Sequence, residues 1–197
     1  MIARDAIDLL YDEMARRPVL QTLAVGRAPV QSPMRTDAPV MVIEECPYEN
    51  EPSFRARLDP IDALGILCQM LTEARIRWDF TYLTYAVPWC PPGRLPYPAE
   101  ILACSDRLRG EVDIVAPAVV IACGPVSWQA LMGREATPFA ERRGKWTLMT
   151  LAGGGHADVL AIHPPSSILT VRPGVRETRR AEIASALSTI LEGERER

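Results

Sequence analysis

Val159-Leu160-Ala161-Ile162-His163-Pro164-Pro165-Ser166-Ser167-Ile168-Leu169 is an apolar run that gives way to a histidine, two prolines, a hydroxyl pair and an apolar pair. A short, continuous apolar run is the mark of a strand buried on both faces. The prolines stiffen the segment after it. His163 is one of only two histidines in 197 residues, and it stands where strand becomes loop. Val40-Met41-Val42-Ile43-Glu44-Glu45-Cys46-Pro47-Tyr48-Glu49-Asn50-Glu51 repeats the arrangement early in the chain: a buried strand, then an acidic, proline-stiffened loop.

Working outward from these two stretches, the pattern alternates. Ile2 to Arg16 has Ile2, Ala6, Leu9, Leu10 and Met14 at helical spacing, and Asp62 to Ala74 has Leu64, Leu67, Cys68 and Leu71. Pro18 to Ala38 is loop-like. Phe80–Val87 and Val119–Cys123 read as further strands, and Pro98 suits the first turn of a helix running to about Gly110. Gly124-Pro125 turns into a helix carrying Trp128, Leu131 and Met132. Trp146–Leu151 feeds the Gly153-Gly154-Gly155 turn, and Glu177 to Leu191 closes the chain as a helix with Ile183, Leu187, Ile190 and Leu191 inward. Strands alternating with helices predict an α/β fold. Ligands of such folds bind at the carboxyl ends of the strands, where both informative loops lie.

Composition sets outer limits. A chain of this length with 48% hydrophobic residues can bury a core, and it is read as one domain over 1–197. Residues 1–38 form a helix-and-loop extension and 39–192 the core. The formal charge of −3 gives no global basic signature, so any nucleic-acid contact must come from a local patch. The five cysteines are scattered without a C-x-x-C pair, which points to a reducing, cytoplasmic setting. No apolar run approaches the ~20 residues of a membrane span.

A series of motifs resembles the uracil-DNA glycosylase superfamily, nearest its bacterial iron–sulfur class, often called family 4. Val42 to Glu51 occupies the place of that class's V-I-G-E-A-P-G-x-x-E. Tyr82-Leu83-Thr84-Tyr85-Ala86-Val87-Pro88-Trp89-Cys90-Pro91-Pro92-Gly93 stands in register with Y-I-T-N-V-V-K-C-R-P-P-G. Pro96 to Cys104 resembles P-x-P-x-E-I-x-A-C, and Pro117 to Gly133 resembles the next strand and helix. Arg143-Gly144-Lys145-Trp146 and His163 to Leu169 resemble R-G-x-W and H-P-S-x-L-L. The resemblance implies a three-layer αβα fold around a central, mostly parallel four-stranded sheet. It also implies an enzyme that binds DNA, flips a nucleotide from the duplex and hydrolyses the N-glycosidic bond of uracil or a modified base.

The roles implied for this chain follow position by position. His163 matches the histidine beside the carbonyl oxygen of the leaving base, where a donor stabilises developing charge. Ile168 and Leu169 match the apolar wedge that fills the gap left by the flipped base, and Ser166 and Ser167 share that DNA-facing loop. Arg143, Lys145, Arg172 and Arg176 are placed to meet phosphates. Cys46, Pro47, Tyr48, Phe54 and Tyr85 fall at the base pocket.

The departures are as informative. Tyr85 replaces the asparagine that reads the uracil edge, and a phenol lacks an amide's paired donor and acceptor. Glu44 and Tyr48 replace two glycines. Cys46 stands where related enzymes carry a water-activating aspartate, which leaves Glu45 as the acidic candidate, with Glu49 and Glu51 behind it. A [4Fe–4S] cluster needs four thiolates; the N-terminal pair is missing and Trp89 holds the third position, so no iron–sulfur cofactor and no other metal is expected. Two readings follow: a glycosylase with a remodelled pocket and weak action on ordinary uracil, or a catalytically inactive subunit of a DNA replication or repair complex, of phage or viral type, with a DNA polymerase or another replication protein as partner.

Overall fold

The computed structural model describes residues 3–21, 28–47 and 63–195. Five strands form one sheet: β1 (Val40–Glu44), β2 (Thr81–Tyr85), β3 (Val119–Cys123), β4 (Trp146–Thr150) and β5 (His156–Ile162), in the order β2-β1-β3-β5-β4. All pairings are parallel except that of β4 with β5. The expected four-stranded sheet thus gains a fifth, antiparallel edge strand. The glycine run 153–155 makes a tight reversal, and a short reversal between neighbouring strands forces them antiparallel.

The helices are α1 (Ala3–Ala15), α2 (Ala63–Glu73), α3 (Pro98–Val115), α4 (Pro125–Met132), α5 (Phe139–Arg142), α6 (Ser167–Thr170) and α7 (Pro173–Arg195). Alternation along the strands divides the core into two layers. Met41, Ile43, Val120, Ala122, Val159 and Ala161 face the α1, α3 and α4 side. Val42, Leu83, Ile121, Leu160 and Ile162 face α2 and α7. The three-layer αβα architecture follows. No helix among the described residues is long and apolar enough to cross a membrane.

Several boundaries move. Strand β2 begins at Thr81, because Trp78–Phe80 is a 3₁₀ turn. Helix α3 continues to Val115 and closes on Ala116 in the left-handed conformation. In α1 the buried residues are Ile7, Tyr11 and Met14, whereas Leu9 is exposed. The inward face is therefore rotated from the one its aliphatic residues suggest.

The reason lies beneath α1. Glu111 and Arg107, one turn apart on α3, are both fully buried and form an ion pair. Glu111 accepts hydrogen bonds from Tyr82 Oη at 2.6 Å, from Thr84 Oγ1 at 2.9 Å and from Tyr11 Oη at 3.3 Å. Arg107 donates to the backbone carbonyls of Tyr85 and Ala86, where β2 leaves the sheet. A buried charge is tolerable only when paired and hydrogen-bonded. Tyr11 is turned inward as part of that satisfaction. Burial pushes the phenols of Tyr11 and Tyr82 well above their ordinary range.

Candidate functional site

From β1 the chain steps one way to β2 and the other way to β3, so the carboxyl ends of β1 and β3 flank a topological switch point, where open α/β sheets form a crevice. Glu45, the first residue after β1, reaches across it. Its Oε1 accepts the Val126 N–H at 3.1 Å, at the start of α4. Gly124, at φ +95°, makes room: a Cβ there would lie 2.4 Å from Glu45 Oε1. The Gly124 N–H donates to the Ile162 carbonyl at 2.9 Å, linking this strip to the end of β5. Burial raises the Glu45 carboxyl above the usual carboxylate range, and the Val126 N–H opposes that rise.

A cavity of about 260 Å³ opens beside Glu45. Its walls come from Glu44 to Pro47 after β1, from Cys90 and Arg94 in the loop after β2, and from Ser166 of the histidine loop. The loop after β2 is braced. Arg94 makes a two-pronged pair with Glu100 at 2.8 and 2.7 Å, and its guanidinium lies 3.7 Å from the Tyr97 ring centroid. The Arg94 guanidinium in turn holds the Glu100 carboxyl below its ordinary range.

His163 is 8% exposed. Its Nε2 lies 3.2 Å from Glu182 Oε2 on α7, and the Phe139 ring meets it edge-on at 6.3 Å between centroids. Burial lowers the imidazole pKa, the Arg179 and Arg143 charges lower it further, and Glu182 opposes them. His163 lines a second cavity, of about 340 Å³, together with Arg143, Glu182, Ser185 and Thr189. Among the described residues, then, Glu45 after β1 and His163 after β5 sit at strand ends separated by β3, and they line different cavities. Ser166 is the member of the histidine loop that reaches the Glu45 cavity.

The other expected residues scatter. Tyr85 lies opposite Glu44 in the β1–β2 register and is buried in the layer of α2 and α7. Ile168 is also buried in that layer, so of the expected wedge pair only Leu169, exposed on α6, points outward. Ser167 Oγ is buried without a hydrogen bond among the described residues. Arg143, Lys145, Arg172 and Arg176 are exposed, as a phosphate-facing role requires. Cys46 is half-buried and Pro47 buried at the cavity wall. Tyr48, Phe54, Glu49 and Glu51 lie outside the described residues. Sequence reasoning missed Glu182, Arg94 and Glu100. Charges on helices and loops look like solvated surface, and only Glu100 carried a signal, as a capping carboxylate three residues after Tyr97.

Comparison with known proteins agrees with this architecture. A Type-4 uracil-DNA glycosylase of Pyrobaculum aerophilum is 28% identical over 150 residues, 74% of each chain. A Type-4 uracil-DNA glycosylase of Archaeoglobus fulgidus is 29% identical over 116 residues, 57% of each chain. One from Saccharolobus solfataricus is 24% identical over 196 residues, 94% of this chain and 88% of its own length. The family described as "Uracil DNA glycosylase superfamily" matches residues 23–188, most of the sequence and all five strands, and the chain belongs to that superfamily.

Proposed function

We propose that the protein is a DNA glycosylase that flips a nucleotide out of DNA and hydrolyses its N-glycosidic bond, with ordinary uracil a poor substrate and a modified base the better one. The observation that carries this reading is the Glu45 strip at the carboxyl ends of β1 and β3, whose cavity the histidine loop reaches through Ser166. Glu45 is the general base for the attacking water. Its buried carboxyl, with a raised pKa, accepts a proton more readily than an exposed one. His163 stabilises the charge that develops on the departing base. Arg143, Lys145, Arg172 and Arg176 hold backbone phosphates, and Leu169 fills the vacated stack.

The specificity follows from Tyr85. A buried phenol at the position that would read the base edge leaves the amide pattern of uracil unanswered. No iron–sulfur cluster is part of this proposal, because the donor set does not fit one. The five cysteines are spread over 46, 68, 90, 104 and 123 without a C-x-x-C pair, and Trp89 stands at the third ligand position.

The test is abasic-site formation on single- and double-stranded oligonucleotides carrying uracil, hypoxanthine or modified pyrimidines. Excision of one modified base should exceed that of uracil, and His163→Ala should reduce it by roughly two to three orders of magnitude, the cost of one charge-stabilising donor. Excision insensitive to His163→Ala would put the chemistry elsewhere. A second reading, a non-catalytic subunit that binds DNA beside a replication or repair protein, is favoured by the separation of His163 from the Glu45 cavity. No excision of any base, with DNA bound through a partner, would select it.

A further inference from the structure

The histidine loop has a partner that the proposed reaction does not use. Glu182 projects from the third turn of α7 and meets His163 Nε2 at 3.2 Å. Around the ring stand Phe139 of α5, Arg143 after it, and Arg179 one turn before Glu182. Of these, only Glu182 can accept a hydrogen bond from the imidazole. A neutral imidazole has one N–H, and the nitrogen that carries it is set by the hydrogen bond it makes. Here the carboxylate claims Nε2.

We propose that Glu182 is a positioning residue for His163: it fixes the imidazole as the Nε2–H tautomer, so that the ring presents Nδ1 as a proton acceptor and offers a second donor only as imidazolium. The inference rests on the reading of His163 as the residue beside the leaving base, and it adds a constraint to that reading. A base oxygen that needs the Nε2–H must displace Glu182. Two guanidiniums, Arg179 and Arg143, and the buried position keep the ring from charging, while Glu182 pulls the other way. Removing the carboxylate charge therefore makes the ring harder to protonate.

The experiment is nitrogen-15 NMR of the two histidines in the full-length protein. His156 is exposed and His163 buried, so their signals separate. In the unaltered chain His163 should show a pyrrole-type Nε2 and a pyridine-type Nδ1. Glu182→Gln keeps an acceptor oxygen and should keep the tautomer, while lowering the pH at which the ring charges. Glu182→Ala should lower that pH as well and shift the tautomer ratio toward Nδ1–H by roughly five-fold, the worth of one hydrogen bond. A plain packing role for Glu182 would move neither readout. An Nδ1–H ring in the unaltered protein, or no change in Glu182→Ala, would overturn the inference. Its failure is distinct from failure of the functional reading, which is scored by abasic-site formation in His163→Ala.

Discussion

The two faces of the sheet hold the helices by different means. On the α2 and α7 side, Leu83, Ile121, Leu160, Leu187 and Ile190 make an apolar layer. On the α1 and α3 side, comparable apolar packing surrounds a fully buried ion pair, Arg107–Glu111, that gathers Tyr11, Tyr82 and Thr84. An apolar layer accepts any arrangement of about the right volume. A buried charge with directional partners accepts one arrangement and penalises the rest. The difference teaches where register is set. The polar side fixes α1 and the exit of β2 against α3, and through the Tyr85 and Ala86 carbonyls it fixes the start of the loop that walls the Glu45 cavity.

The sharpest way to break this comparison is to strand one charge. Arg107→Met leaves the Glu111 carboxylate buried without its cation, and should cost about 3–5 kcal/mol in urea unfolding. Arg107→Met with Glu111→Leu should recover much of that loss, since a well-packed apolar pair of similar volume replaces a buried ion pair at little cost. A single variant as stable as the unaltered protein would mean that water reaches the pair. Next in size is the apolar side: Leu187→Ala should cost about 2–4 kcal/mol through the cavity it opens, and no second substitution short of refilling that volume should rescue it.

The smallest effect concerns pH, and it sharpens the comparison at the one histidine bonded to α7. The pKa of His163 is lowered in the folded state, so its contribution to stability is present above the ordinary histidine value and is lost as pH falls through the folded value. Glu45 acts in the opposite sense: its raised pKa makes the protonated form the favoured one, with that stability lost as pH rises through the folded value. The difference in urea midpoint between the unaltered chain and His163→Gln, measured from pH 7.5 down to 5, isolates the histidine. The gap should shift in favour of His163→Gln as pH falls below the ordinary histidine value near 6.5. A gap constant with pH would show that His163 is not buried against its arginines.

Much of this was legible in the residues. Val40–Ile43 and Val119–Cys123 are strands of nothing but buried side chains, and continuous apolar runs say so directly. The Gly124-Pro125 turn into α4 was legible because the two residues demand a bend. The inward face of α1 was not, because Tyr11 faces in to bond a carboxylate, and hydropathy counts its hydroxyl against burial. Glu111 and Arg107 are spaced like a solvated surface pair, and periodicity alone gives no sign that such a pair is buried. At the site, the strand-end loops announced themselves, but the Glu182 partner of His163 could not, since a contact between residues 19 apart in sequence depends on how α7 lies against β5.

The bond between Tyr11 and Glu111 joins residues 100 apart in the chain. A ribosome adds roughly 5–20 residues per second, so α1 emerges about 5–20 seconds before its acceptor exists. At 13 residues α1 is also too short to hold itself together in water. α1 therefore waits without its buried acceptor until α3 is made, open to chaperones, and its docking cannot precede the synthesis of α3.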